Sequence, residues 1–233
     1  MLSARGLRVR SPGGFLVLDD VTVVVHPGEV VVLVGPNGSG KTMLLRTFAG
    51  LVHPEAGTIH LYGKPLLPHP AHRRADSGLA YAPAPPAMLA GLSVQDTLKV
   101  GAWHRRDRRA VARDVQRILE DLPPLGERLH HLAESLPAPA RRMLALGRAV
   151  MSAPRALLLD EPLGGLDDEA AAYIRRAIRR LRDDGVALLA AEHALTGTLA
   201  IADRAYGFRD GRVVFSGSPS ALAHAAAFGE IYY

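Results

Sequence analysis

The octet Gly35-Pro36-Asn37-Gly38-Ser39-Gly40-Lys41-Thr42 sets three glycines, a lysine and a hydroxyl in the order that a phosphate cradle requires. Glycines permit the turns that aim successive backbone N–H groups inward. A helix opening just after them adds its positive end. Lys41 is expected to reach the β- and γ-phosphates of a nucleotide, and Thr42 to hold Mg²⁺. An ordinary glycine-rich turn has no use for that lysine. Of 28 basic residues only Lys41, Lys64 and Lys99 are lysines, and one of them stands at the cation the motif needs.

Leu157-Leu158-Leu159-Asp160-Glu161 is the complement. A buried strand ending in a carboxylate directs Asp160 toward the Mg²⁺ shell. Glu161, pointing the other way, is placed to position and deprotonate an attacking water. Acids often end strands, so this segment gains its meaning from the loop. His69 and His72, and the pair His130-His131, lack carboxylates in a ligand-like pattern and read as surface residues. The absence of cysteine excludes disulfides, thiol catalysis and cysteine-ligated zinc.

These groups need a sheet and helices to hold them. Residues 30–34 form an unbroken aliphatic run suited to a parallel strand covered on both faces, ended by Gly35, with a helix from Met43, Leu44 and Leu45. Residues 156–159 and 186–190 read as two more buried strands. Leu7 and Val9, then Val21, Val23 and Val25, alternate as in a sheet covered on one face. Asp210-Gly211 marks a hairpin. Ser93 with Asp96 caps a helix over 94–103, and further helices are expected over 140–151 and 169–184. In the last, Tyr173, Ile174, Ala177, Ile178 and Leu181 share a face. Arg105, Arg106, Arg108 and Arg109 read as a solvated face, and Trp103 as packed among the helices. The order gives an α/β core with a mostly helical insertion between two buried strands.

The 233 residues are 48% hydrophobic and 22% charged, enough for a sizeable core and inconsistent with disorder as the main state. No apolar stretch approaches the roughly 18 residues of a bilayer span, and residues 1–8 hold no signal-peptide core, so a soluble, unexported chain is expected. The net charge of +5, carried almost wholly by arginine, reads first as the coding bias of a GC-rich genome. It would also suit a nucleic acid or an anionic membrane surface, and charge alone does not choose between those two.

Together with Gly165-Leu166-Asp167 and Glu192-His193, the two motifs and the helical insertion make the chain resemble, nearly end to end, the ATP-binding subunit of an ABC transporter. Within that family the stretches AYAPAPPAMLAGLSVQDTLKVGAW and RRMLALGRAVMSAPRALLLDEP are most similar to branched-chain amino-acid importer ATPases. The resemblance implies a P-loop NTPase core with a mostly parallel sheet, an N-terminal antiparallel β-subdomain and an inserted helical subdomain. Residues 1–85 and 153–233 would form the core, and 86–152 the insertion. ATP and Mg²⁺ would be the cofactors, with Thr42 and Asp160 on the metal, and residues 35–42 and Asp167 on the nucleotide. Glu161 would be catalytic, with His193 as the switch histidine contacting the γ-phosphate. Asp167 would communicate between the two sites of a dimer. The implied partners are transmembrane permeases, a second ATP-binding subunit and a solute-binding protein, with no nucleic acid, at the cytoplasmic face of the plasma membrane.

Three departures from the family pattern stand out. The signature segment, usually Leu-Ser-Gly-Gly-Gln, aligns with Leu136-Pro137-Ala138-Pro139-Ala140. Pro137 removes a hydroxyl and Pro139 a backbone N–H, although prolines start helices well. The glutamine expected after the third core strand aligns with Ala84. The aromatic expected to stack on adenine near residues 11–14 is missing, with Phe15 the nearest candidate. A defective signature beside intact Glu161 and His193 favours a heterodimer with a second ATPase subunit. A nucleic-acid-associated ATPase of the same superfamily, motivated by the pI of 9.9, and a regulatory subunit with little hydrolysis are the other readings.

Overall fold

The computed structural model describes residues 1–193, 197–222, 229, 231 and 232. The elements run β1 (Leu2–Arg10), β2 (Leu16–Val25), β3 (Val30–Val34), α1 (Lys41–Ala49), β4 (Ala56–Leu61), β5 (Lys64–Pro65), α2 (Ala71–Asp76) and β6 (Leu79–Ala82). Four helices follow: α3 (Val94–Gly101), α4 (Arg108–Asp121), α5 (Pro123–Gly126) and α6 (Ala138–Val150). The chain continues with β7 (Ala156–Asp160), α7 (Asp168–Asp183), β8 (Ala187–Glu192), β9 (Arg204–Arg209), β10 (Arg212–Gly217) and α8 (Pro219–Leu222).

Two sheets result, one with strand order β2-β1-β4-β5 and one with order β10-β9-β3-β8-β7-β6. The first is antiparallel throughout. In the second, β9, β3, β8, β7 and β6 pair in parallel, and β10 is an antiparallel edge closed by the Asp210-Gly211 turn. The aliphatic run of β3 divides by alternation. Val30, Val32 and Val34 enter the core shared with α3, α4, α6 and α7, whereas Val31 and Leu33 enter the core shared with α1 and the antiparallel sheet. A strand buried on both faces cannot show polar alternation, which is why it reads as a continuous run.

The helical stretch between β6 and β7 differs in detail from its sequence pattern. Helix α3 stops at Gly101 instead of continuing to Trp103. A Cβ at Gly101 would lie 2.1 Å from the carbonyl oxygen of Arg148, so α3 and α6 touch backbone to backbone. No room for an indole remains between them, and Trp103 is 74% exposed, which overturns its expected packing in the insertion. Arg105 also departs from the solvated face assigned to it. It turns inward, donating to the Met151 carbonyl at 2.8 Å and pairing with Asp114 at 2.6 Å. Helix α4 was hidden among charges, because only Val115 and Ile118 are buried along its length and Asp107 caps it.

Candidate functional site

The phosphate-loop octet joins the buried end of β3 to α1. At Gly35 a Cβ would stand 2.1 Å from the Phe208 carbonyl oxygen, and Gly40 has φ +104 at the helix cap, so neither position accepts a side chain. Lys41 is buried, and its ammonium donates to the carbonyls of Gly35 (2.8 Å) and Pro36 (2.9 Å) and to Ser39 Oγ (3.3 Å). Burial lowers its pKa, opposed by the negative charges of Glu161, Asp160 and Glu192. The loop thus holds a desolvated cation on neutral acceptors, an arrangement that an anion would relieve.

Thr42 Oγ1 donates to Asp160 Oδ1 at 3.0 Å, joining residues 118 positions apart in sequence. The other carboxylate oxygen accepts from the Tyr81 hydroxyl at 3.2 Å. Tyr81 sits on β6, paired with β7 in the Tyr81↔Leu158 register. Burial, then the Asp160 charge, pushes its hydroxyl up to about 12. The Asp160 carboxyl is itself raised, chiefly by burial and further by Glu161, with Thr42 and Tyr81 opposing. Two oxygen donors, one hydroxyl and one carboxylate, suit Mg²⁺, which usually takes one or two protein ligands and completes its shell with phosphate and water. Among the described residues no cluster of three His, Asp or Glu offers a rival metal site.

Glu161 follows β7 with φ +46, its N–H bonded to the Ala191 carbonyl at 2.9 Å and its own carbonyl accepting from Arg142 of α6. It lines the same cleft as Asn37, Gly38, Gly40, Lys41, Thr42 and Asp160. His193 Nδ1 lies 3.9 Å from Glu161 Oε1, so the two residues taken as catalytic are neighbours. Behind them Glu192 is fully buried, accepting from Thr198 Oγ1 at 2.6 Å. Its carboxyl is raised by burial, with Thr198 and the Leu163 amide opposing. Sequence reasoning placed Glu192 in the family pattern but gave neither it nor Tyr81 a part in the site. No local signal marked Tyr81, whose place beside Asp160 depends on the pairing of β6 with β7.

Asp167 is not brought to this cleft. Its carboxylate caps α7, accepting from Ala170 N at 2.8 Å, and it lines a separate groove with Pro137, Pro139 and Tyr173. Pro137 is the N-cap of α6, and Pro139 stands in its first turn, so this helix begins without a side-chain cap and with one backbone donor missing. Phe15 is 76% exposed, two residues from Val17, which lines the phosphate-loop cleft. Ala84 lies in the segment after β6, between that strand and α3.

A glycine-rich loop between a buried strand and a helix, facing a strand-end aspartate across a parallel sheet with a helical insertion, defines a nucleotide-binding P-loop protein. The family described as ABC transporter matches residues 18–164. The lipopolysaccharide export system ATP-binding protein LptB of Acidithiobacillus ferridurans is 36% identical over 93% of this chain and 90% of its own. The high-affinity branched-chain amino acid transport ATP-binding protein BraG of Pseudomonas aeruginosa is 35% identical over 90% of each. A solved ATP-binding subunit of an ABC transporter superposes with a TM-score of 0.86 at 25% identity, covering 99% of this chain and 94% of that one. The chain belongs to the ABC transporter family, as one of its ATP-binding subunits. It is an ATPase of the kind that binds ATP, normally with Mg²⁺, and works with transmembrane permease subunits. None of the helices in the described residues is long and apolar enough to cross a membrane.

Proposed function

We propose that this subunit binds ATP on residues 35–42 and hydrolyses it with Glu161 and His193, at the inner face of the membrane, beside a second and different ATPase subunit. The contact of Thr42 with Asp160 next to the buried Lys41 is the observation that carries this reading. When bound, Mg²⁺ would be held by Thr42 and Asp160 and would neutralise charge on the β- and γ-phosphates. Lys41 exchanges its carbonyl acceptors for phosphate oxygens. Glu161 accepts a proton from the attacking water, and His193, beside it, donates to the γ-phosphate.

The pairing with a different subunit follows from the defects. The phosphate loop, Asp160, Glu161 and His193 are present, whereas Pro137 and Pro139 remove donors from the segment that a partner's γ-phosphate would meet. One lost donor of this kind costs about 2.7–4 kcal/mol of transition-state stabilisation in other enzymes. The competent site therefore combines this chain's Glu161 with the partner's intact signature. Asp167 lines one groove with Pro137 and Pro139, which supports a place for it on the face turned to that partner. Phe15 offers an aromatic surface for adenine in place of the missing one, and Ala84 leaves the link to the permeases to other residues.

The likeness to BraG supports an importer of amino acids or similar small solutes, working with a solute-binding protein. The likeness to LptB supports export of a lipid-linked cargo as the second reading. Co-purification of the intact complex with its permeases separates them by the cargo that stimulates hydrolysis. In that complex Glu161→Gln is expected to remove nearly all ATPase activity, with the equivalent change in the second ATPase subunit mattering far less. Equal losses, or a complex holding only copies of this chain, would overturn the asymmetric pairing.

A further inference from the structure

The corner between α3 and α4 carries a surface that nothing in the ATPase chemistry uses. Trp103 projects from it, with Val100 (40% exposed) one turn back and His104 edge-on to the indole at 6.0 Å between ring centroids. Arg106, Arg108, Arg109 and Arg113 follow, all exposed. The corner itself is rigid. Ala102 is buried, and Arg105 pins the turn from below through Met151 and Asp114.

The acids nearby are already engaged. Asp107 accepts through Oδ1 from the N–H groups of Arg109 and Ala110, both at 3.0 Å. Asp114 is held by Arg105, and Asp96 by Ser93 and by Lys99 at 4.0 Å. Among the described residues, Arg106, Arg108 and Arg109 make no ion pair within 4.0 Å, and Arg113 meets only the charge of Asp107 at longer range. Two of them, Arg108 and Arg109, occupy the first turn of α4, where the helix end is already positive and only the capping Asp107 is acidic. Beyond the pull of Arg113 on the capping Asp107, folding has no use for these cations or for a solvated indole.

We infer that this corner, Trp103 with Arg106, Arg108, Arg109 and Arg113, is a docking surface for the anionic phospholipid headgroups of a bilayer. Four exposed guanidiniums, with Asp107 the one acid among them, match phosphate geometry and leave a net positive patch. An exposed tryptophan flanked by arginines is the combination that seats at the boundary of headgroup and acyl chain, ring inward and charges outward. Lipid is favoured over nucleic acid by Val100 beside the indole, an aliphatic group with an apolar layer to enter in a membrane and no stacking partner on a base. The inference rests on the chain working against a membrane. Its test uses vesicles without permeases, so its failure leaves the transporter reading standing.

Trp103 is the chain's one tryptophan, so its fluorescence reports this corner alone. The full chain is mixed with phosphatidylcholine vesicles with or without phosphatidylglycerol, and both co-sedimentation and emission are read. Expected are binding to the anionic vesicles only, a blue shift of the emission, and reversal by salt as exposed charges are screened. Each arginine near such a surface is worth about fivefold, so changing all four to Gln should weaken binding by at least about 10²-fold. The variant's melting shift with Mg·ATP checks that it is folded. For the unmodified chain, quenching of Trp103 by brominated lipid gives a second measure that needs no variant. Binding without a blue shift or quenching, equal binding to uncharged vesicles, or undiminished binding by the folded four-site variant would overturn the inference. So would arginine-dependent capture of a duplex oligonucleotide with vesicles ignored.

Discussion

Replacing Asp160 with Asn should stabilise the nucleotide-free chain and remove its response to Mg·ATP. The carboxylate is 5% exposed, and its two bonds, to Thr42 and Tyr81, survive the change, since an amide oxygen accepts from Thr42 and the Tyr81 hydroxyl can turn to accept from the amide. Hydrogen bonds to a neutral acceptor are weaker by about 1 kcal/mol each, a loss of about 2 kcal/mol. Against this stands the burial of a charge, which costs several kcal/mol even after relaxation. The carboxyl is raised above its ordinary range, with burial the largest cause, so folding favours the neutral form and the balance lies with Asn. A net gain of about 1–2 kcal/mol raises Tm by about 2–8 °C in a chain of this size. The sign with pH follows. A raised carboxyl makes the native state bind more protons, so the wild-type chain loses stability as pH climbs from the unfolded pKa through the folded one, and the Asp160→Asn change removes that loss. With ligand the order reverses, because Mg·ATP at a thousand times Kd stabilises the wild type by about 4 kcal/mol and the variant lacks the metal's carboxylate. Calorimetry with and without Mg·ATP at several pH values tests the crossover. A nucleotide-free variant melting below wild type, or equal ligand shifts in both, would refute the reasoning.

Lys41→Ala should keep the fold and lose most Mg·ATP affinity, and titration calorimetry showing tight binding would place the phosphates elsewhere. Arg74, 1% exposed, closes the end of α1 by donating to the carbonyls of Thr47 (2.7 Å), Phe48 (2.9 Å) and His69 (2.8 Å). Arg74→Met leaves all three without that donor, and denaturant unfolding should show a loss of about 3–5 kcal/mol. The double change Pro137→Ser with Pro139→Gly restores a hydroxyl and an N–H at the start of α6. Phosphate release by a homodimer of that variant should exceed wild type by at least about tenfold. Gly101→Ala drives a methyl into the Arg148 carbonyl, and a cost of about 1–3 kcal/mol is expected in thermal melts.

The linear sequence by itself determined the phosphate loop, the Asp160-Glu161 pair, the buried strands, the Asp210-Gly211 hairpin and the Ser93 cap. Each is a local matter, in which a residue type satisfies a backbone need within a few positions, as Gly40 does at φ +104. The defects at Pro137, Pro139 and Ala84 were equally legible, because a missing donor is a property of the residue. Tertiary structure alone decided what meets across the chain. Tyr81 reaches Asp160 only because β6 pairs with β7, and Glu192 sits behind Glu161 only because β8 lies next to β7. Arg142 reaches the Glu161 carbonyl from α6, 19 residues earlier in the chain. The same limit misplaced Trp103. Hydropathy says that an indole prefers burial, but the backbone contact of α3 with α6 at Gly101 left no space for one, and close packing overrides transfer preference wherever the cavity is absent.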